Sequence, residues 1–301
     1  MVKLYLCLAL GLGALPAAHA QGPGLWGARA AALGQIGSVL ADDGWAGASN
    51  AAALGQLNRP TVGVGAENRY LLPTLNTASL VMAVPIGYRN NAAPAAPVAG
   101  VTAAVAGADA PRYGTLGFTA QRFGGQLYSE QRLGLGYGYQ LGTVRVGARV
   151  EVLQTSIQAL GSHRTVAASL GGQADIIPRK LTFGATLYNF NQARLAEYQD
   201  ERLPTVLRAG LAWRPAEKML LLVETEKDVE QDADFKAGLE YLPLPALALR
   251  AGLSTLTSQL TGGVGLRTGA FRIDYAAGWH ETLGLSQQLS AAYVWAKPSR
   301  P

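Results

Sequence analysis

The stretch VRVGARVEV, residues 144–152, decides the fold, because apolar side chains alternate strictly along it with charged residues or glycine. Every even position is apolar, whereas the odd positions are Arg145, Gly147, Arg149 and Glu151. A period of two residues is that of a β-strand, whose successive side chains point to opposite faces. One face of this predicted strand is therefore apolar throughout, and the other carries charged residues or glycine.

The same alternation recurs along most of the chain, for example in the stretch FRIDY at residues 271–275. We predict about fourteen strands, which at about 17 residues per strand and connection is typical of a transmembrane β-barrel. A soluble β-protein with its aromatic residues in the core is the alternative, although soluble sandwiches usually have fewer strands. The predicted strands lie near residues 61–70, 76–87, 112–124, 128–141, 144–157, 165–177, 180–190, 205–213, 219–227, 234–242, 247–255, 259–268, 271–281 and 286–296.

The composition and the first residues agree with an exported membrane protein. Only 15% of the 301 residues are charged, against roughly 25% in ordinary globular chains, and the net charge of +5 is too low for a nucleic-acid binder. Residues 1–20 combine Lys3, an apolar run and Ala18-His19-Ala20, which is the pattern of a signal peptide. The single cysteine, Cys7, lies inside this segment. Disulfide and redox chemistry are therefore excluded, and the absence of a long apolar run after residue 20 excludes a helical membrane protein.

A barrel in hydrocarbon must close, because an open sheet edge would leave backbone groups without hydrogen bonds. The apolar positions then face lipid and the polar positions face the lumen. We expect Arg208 and Lys236 to pair with Glu224 and Glu240 there, with an anion-selective filter as the alternative to ion-pair packing. The predicted lumen charges are Arg145, Arg149, Glu151, Arg208, Glu224, Lys236, Glu240, Arg272 and Asp274.

Residues 21–60 do not alternate and are rich in alanine and glycine. Helical stretches are predicted around 28–33 and 51–57, with Asn50 as the cap of the second. A barrel of about fourteen strands has a lumen wider than its own side chains fill, so we predict that this segment plugs it. A periplasmic tail outside the pore is the alternative. The barrel itself is predicted over 61–296 with a tail at 297–301, and the Ala- and Pro-rich residues 89–111 are interpreted as a low-complexity insertion.

The stretch ADDGWAGASNAAALG, residues 41–55, resembles the signature at the start of FadL-type outer-membrane barrels, most closely the PorV/PorQ group of Bacteroidetes. The resemblance extends in order through residues 70–87, 122–139, 193–213, 223–230, 235–241 and 279–295, and so covers roughly 27–296. It implies a fourteen-stranded barrel in the outer membrane of a Gram-negative bacterium, with its N-terminal segment inside. Ala51 and Ala53 depart from the signature, which has Pro and Gly there, so a FadL-style kinked gate is in doubt. The plug and gate candidates are Asp42, Asp43, Trp45, Asn50 and Leu54.

No pattern of catalytic residues, metal ligands or phosphate-binding glycines emerges, so we expect no enzyme, no metal site and no cofactor. His163 is placed in an outer loop and His280 at a strand end. The acidic residues of 224–230 are interpreted as a solvated rim, with a cation or cargo site as the alternative.

The function expected from the PorV/PorQ resemblance is that of a monomeric, non-enzymatic component of type IX secretion. Its partners would be outer-membrane lipid, secretion-system proteins and secreted cargo. The alternatives are a FadL-like channel for hydrophobic small molecules and a purely structural outer-membrane protein. No nucleic-acid partner is expected.

Overall fold

The computed structural model describes residues 24, 26–87, 113–194, 202–229 and 231–295. Within these residues fourteen strands form a closed barrel in which each strand pairs antiparallel with its neighbours in sequence, and β1 pairs with β14 to close the ring. The predicted all-β barrel of about fourteen strands is confirmed. The strands are β1 (Thr61–Asn68), β2 (Asn76–Pro85), β3 (Thr115–Gly124), β4 (Tyr128–Leu141), β5 (Val144–Ile157), β6 (Gly161–Ile177), β7 (Leu181–Tyr188), β8 (Val206–Ala216), β9 (Met219–Asp228), β10 (Asp234–Leu244), β11 (Leu247–Ser254), β12 (Gln259–Thr268), β13 (Phe271–His280) and β14 (Gly284–Val294).

The two rims of the barrel differ in their connections. At the rim where β1 begins, here the near rim, turns of two or three residues follow β4, β6, β8, β10 and β12. The β2–β3 connection also lies at this rim, and the predicted insertion at 89–111 falls outside the described residues. The opposite or far rim carries the other connections, of which the one between β7 and β8 is long.

One predicted loop at the far rim is wrong. Strand β6 begins at Gly161, and its pairing with β5 continues to the pair Ile157 and Gly161. His163 therefore lies opposite Thr155 within the sheet and not in a loop. The hairpin closes tightly because Ala159 and Gly161 both adopt positive φ angles, which a pattern of apolar residues does not reveal.

The barrel is apolar outside and charged inside, the reverse of a soluble protein. Along β5 the side chains of Val144, Val146 and Val150 are exposed on the outer face, whereas Arg145 and Glu151 are buried. A wall of this kind is stable in hydrocarbon, where all strands are paired and only apolar side chains meet lipid. The fold is thus a transmembrane barrel.

Residues 26–57 lie inside the barrel and are almost all buried. They form two short helices, α1 (Ala28–Ala32) and α2 (Gly44–Ser49), and a 3₁₀ helix (Ala51–Gln56). We call this segment the plug. Its apolar core includes Leu33, Ile36, Val39 and Leu40. Among the described residues, no helix is both long enough and apolar enough to cross a membrane.

The plug fits because the inner wall lacks side chains where the two meet. A Cβ atom added to Gly147 would lie 2.3 Å from the carbonyl carbon of Ala51, and one added to Gly184 would lie 2.3 Å from the carbonyl oxygen of Ser38. Similar overlaps with the plug occur at Gly138, Gly171, Gly238, Gly252 and Gly263. These seven residues, the glycine girdle, let the plug lie directly against the wall.

Candidate functional site

Arg29 binds the barrel wall and also links two parts of the plug to each other. Its side chain projects from the second residue of the short helix α1, and the guanidinium donates to both carboxylate oxygens of Glu240 at 2.9 Å and to Asp43 Oδ2 at 3.1 Å. Glu240 also accepts from Arg250 at 2.7 Å, and Arg250 in turn donates to Asp274 at 2.6 Å. Burial alone would lower the pKa of Arg29, but the carboxylates of Glu240 and Asp43 outweigh it and raise that pKa.

The predicted gate residues Asp42 and Asp43 have different roles in the structure. Asp43 caps α2, because its Oδ1 accepts from the backbone N–H of Ala46 at 2.6 Å. Asp42 is exposed and has a positive φ of 74°. Its carboxylate accepts from Gln56 at 3.1 Å, and its carbonyl oxygen accepts from Arg272, whose side chain points into the lumen.

Asn50 connects the plug to β6 and β7. Its Oδ1 accepts from the N–H of Ala52 at 3.0 Å and so caps the 3₁₀ helix, as predicted for this residue. Its Nδ2 donates to the carbonyl oxygens of Ser38, Gly172 and Ala185, the last two at 3.3 and 3.4 Å on the wall. The other two gate candidates are apolar anchors: Trp45 packs with Trp26 and Val81, and Leu54 packs with Leu57 and Ala83.

Glu224 is a docking point for the plug and not part of a solvated rim. It is buried, and its Oε2 accepts from the N–H groups of Gly37 and Ser38 at 3.1 and 2.7 Å and from Ser38 Oγ at 2.5 Å. Glu226 is also held in the lumen. The rim interpretation fails for both because residues 224 and 226 lie on the inner face of β9, where the plug binds Glu224 and Arg208 binds Glu226.

The expected partners of two lumen cations are also wrong. Arg208 donates to Glu226 at 2.8 Å, and Lys236 binds Glu226 and lies 3.7 Å from Asp234. Lys236 stands opposite Glu224 in the β9–β10 register, but the plug occupies that carboxylate. Lys236 therefore reaches diagonally to the next inward acid along β9.

The remaining predicted charges lie against the plug on β5. Arg145 donates to Gln56 of the plug and, at 2.8 Å, to Asp175. Arg149 donates to the carbonyl oxygen of Ala48, to Thr119 at 2.8 Å and to Glu151 at 2.7 Å, and its guanidinium lies 4.9 Å from the ring centroid of Trp26. Glu151 also accepts from Tyr188 Oη at 2.8 Å. All nine predicted lumen charges thus point inwards, and several hold plug atoms.

Sequence reasoning did not single out Arg29, Ser38, Arg132 or Arg250. Arg29 is the only charged residue between positions 21 and 41, and a lone charge in an apolar segment is a usable signal of a buried partner. Ser38 gave no such signal. Across the described ranges, no group of three or more His, Cys, Asp or Glu residues is placed to hold a metal ion.

A cavity of about 400 Å³, here the vestibule, lies between the plug and the far rim. Plug residues Ala31 and Gln35 form part of its lining, and the ends of β1, β3 and β13 and the starts of β2, β4, β12 and β14 supply most of the rest. A second cavity of about 30 Å³ lies deeper, beside Trp26 and Arg149.

No known family profile matches the sequence, and no curated protein does so either. Solved structures do match the fold. The Ralstonia pickettii toluene transporter TbuX is 14% identical with a TM-score of 0.60, and the match covers 91% of this chain and 97% of TbuX. A deletion mutant of the TodX monoaromatic hydrocarbon channel is 13% identical with a TM-score of 0.61, covering 91% and 99% of the two chains. A Pseudomonas aeruginosa FadL homologue is 11% identical with a TM-score of 0.56, covering 91% and 98%. The chain has the fold of the FadL-like outer-membrane β-barrels.

Proposed function

We propose that this protein is a non-enzymatic channel in the outer membrane of a Gram-negative bacterium that admits small hydrophobic molecules. The observation that carries the proposal is a transmembrane barrel whose lumen is closed by a segment of its own chain. The fold is also similar to that of a toluene transporter and of a monoaromatic hydrocarbon channel. The far rim faces outwards in this proposal, since longer loops are extracellular and short turns periplasmic in such barrels.

Passage requires the plug to move. The plug contacts every strand of the barrel. Its helices pack on β1 to β6 and on β11 to β14. Asn50 reaches β7, Ser38 reaches β8 and Glu224 on β9, and Arg29 reaches β10. Most of these contacts are hydrogen bonds and close backbone packing, which can break and re-form. The plug is thus a gate held by many small contacts.

Toluene uptake by whole cells tests the channel. Cells that lack their own barrels of this kind are expected to take up radiolabelled toluene faster when they express this protein than with an empty vector. Equal rates would exclude the proposed channel. The protein must also fractionate with the outer membrane in the same cells.

A disulfide between plug and wall tests the gate. A Cβ atom built at Gly210 lies 3.1 Å from Ser38 Oγ, a spacing suited to a disulfide between Ser38→Cys and Gly210→Cys. The same Cβ lies 2.7 Å from the carbonyl oxygen of Val223, so the backbone must shift slightly to accept a cysteine there. We expect the oxidised double variant to lose toluene uptake and to regain it in a reducing agent. Either single cysteine variant, under oxidising conditions, is the matched control. Uptake that continues with the disulfide formed would show that the plug need not leave the wall near Ser38.

A secretion-associated role of the PorV kind is the second candidate, supported by the order of the sequence motifs along 27–296. It predicts stable co-purification with secretion-system proteins or cargo from native membranes. The similarity to hydrocarbon channels favours the channel over this role.

A further inference from the structure

The vestibule is lined mainly by polar side chains. Gln35, Gln121, Gln259 and Gln288 contribute amides, and Phe123 is the one large, wholly apolar side chain among the described lining residues. A hydrocarbon resting here would cover these amides without offering a hydrogen bond, which costs free energy. The lining therefore favours a ligand with hydrogen-bonding groups.

Two buried oxygen atoms of this lining have no partner within the described chain. They are Thr77 Oγ1 and Gln288 Oε1, in residues that are 5% and 6% exposed. Both residues lie directly beside Glu67, since Glu67 pairs with Thr77 on β2 and with Gln288 on β14. A buried acceptor without a hydrogen-bond partner is destabilising. The terminal torsion of glutamine is soft, so the amide of Gln288 can turn to meet a ligand, whereas at Thr77 only the hydroxyl hydrogen rotates.

The charges around the vestibule are already paired. Arg69 donates to Glu67 at 3.0 Å, and Arg132 donates to Glu130 at 3.2 Å. A charged ligand would lose its hydration and would compete with these pairs for the same partners. The balance of two carboxylates and two guanidinium groups therefore favours a neutral ligand.

We propose that the vestibule binds a small neutral molecule carrying several hydroxyl groups, with the size and chemistry of a monosaccharide. A volume of about 400 Å³ lies within the roughly 300–1,000 Å³ range of small-molecule sites. The hydroxyl groups donate to Gln288 and Thr77 and exchange hydrogen bonds with the other amides. This inference goes beyond passage through the lumen, because it concerns equilibrium binding at the far rim.

Calorimetric titration of the purified full barrel, in a detergent without a sugar head group, tests the site. Glucose is the probe, and its anionic and cationic analogues glucuronate and glucosamine are the charge controls. We expect glucose to bind at least tenfold more tightly than either analogue. No heat of glucose binding, or equal affinity for all three, would overturn the proposal.

Two variants locate the binding. Gln288→Leu removes the amide at similar size and is expected to weaken glucose binding by roughly five- to tenfold, as the loss of one hydrogen bond does. Thr77→Val keeps the shape and removes the hydroxyl, so it serves if Gln288→Leu does not fold, and a smaller loss is expected. Gln131→Leu, at an exposed position on the outer face of β4, is the matched control and should bind glucose like the wild type. Equal affinities in all three variants would place glucose elsewhere and refute the assignment. Glucose binding that persists in a protein that fails to admit toluene would support this site while excluding the proposed channel.

Discussion

Arg29 joins the internal fold of the plug to the barrel wall through a single guanidinium group. Asp43, which it binds, also caps α2, and Glu240 is at the same time held by Arg250. The loss of this cation would leave buried carboxylates with fewer partners on both sides of the plug–wall contact. A buried ion pair adds little net stability when intact, but removal of one partner is strongly destabilising. Arg29 therefore matters more for keeping the plug docked than for the stability of the strands.

The variant Arg29→Met tests this role. It keeps much of the side-chain volume and removes the charge, and we expect it to weaken plug docking by about 3 kcal/mol. Amide hydrogen exchange over residues 28–57 should accelerate by roughly a hundredfold, while exchange in the strands stays unchanged. Arg59→Met removes the same charge from an exposed position and is the control. Exchange in Arg29→Met equal to that in Arg59→Met would contradict the role assigned to this residue.

At the scale of elements, the sequence predicted the strands well because alternation over eight or more residues is a direct consequence of their geometry. Helix α2 was missed, since GWAGAS has weak helix propensity and the helix depends on the Asp43 cap and on packing against β1 to β4. The partners of Arg208 and Lys236 were mistaken for a different reason. Alternation tells which face a residue occupies, but the register between strands and the capture of Glu224 by the plug decide which inward charges meet.

The glycine girdle offers the sharpest element-scale test, because Gly171 and Gly172 are adjacent on β6 but face opposite sides. A Cβ atom at Gly171 would lie 2.1 Å from Asn50 Oδ1, whereas one at Gly172 has no atom within 4 Å. We expect Gly171→Ala to displace Asn50 and to loosen the plug, with the Gly172→Ala variant unaffected. Trypsin cleavage after Arg29, which is buried in the docked plug, should become about tenfold faster in the Gly171→Ala variant only. Equal cleavage of both variants would mean that docking of the plug does not depend on glycine at position 171.

At the scale of the whole molecule, the two faces of the barrel wall meet different environments. Lipid meets the apolar alternate residues, while the inward residues meet a plug built from small side chains and a network of ion pairs. This division explains how 37 glycines and few charges support a stable structure: the seven glycines of the girdle make room for the plug, and most lumen charges are paired. The vestibule could not be deduced from the sequence, because it is assembled from strand ends far apart in the chain.

If the outer wall faces lipid, the cost of a charge placed on it should depend on how far the charge lies from the middle of the bilayer. Leu135 is exposed at the middle of β4, and Leu127 is exposed in the β3–β4 turn at the far rim. In phospholipid vesicles, Leu135→Arg should lower the free energy of unfolding by about 2–4 kcal/mol, because an arginine is costly at the bilayer midplane, whereas Leu127→Arg near the interface should cost about 1 kcal/mol or less. Urea titrations followed by tryptophan fluorescence give both values. An exposed leucine of a soluble protein would tolerate arginine with a change within about 0.5 kcal/mol, so equally small losses for the two variants would mean that the middle of β4 does not face lipid.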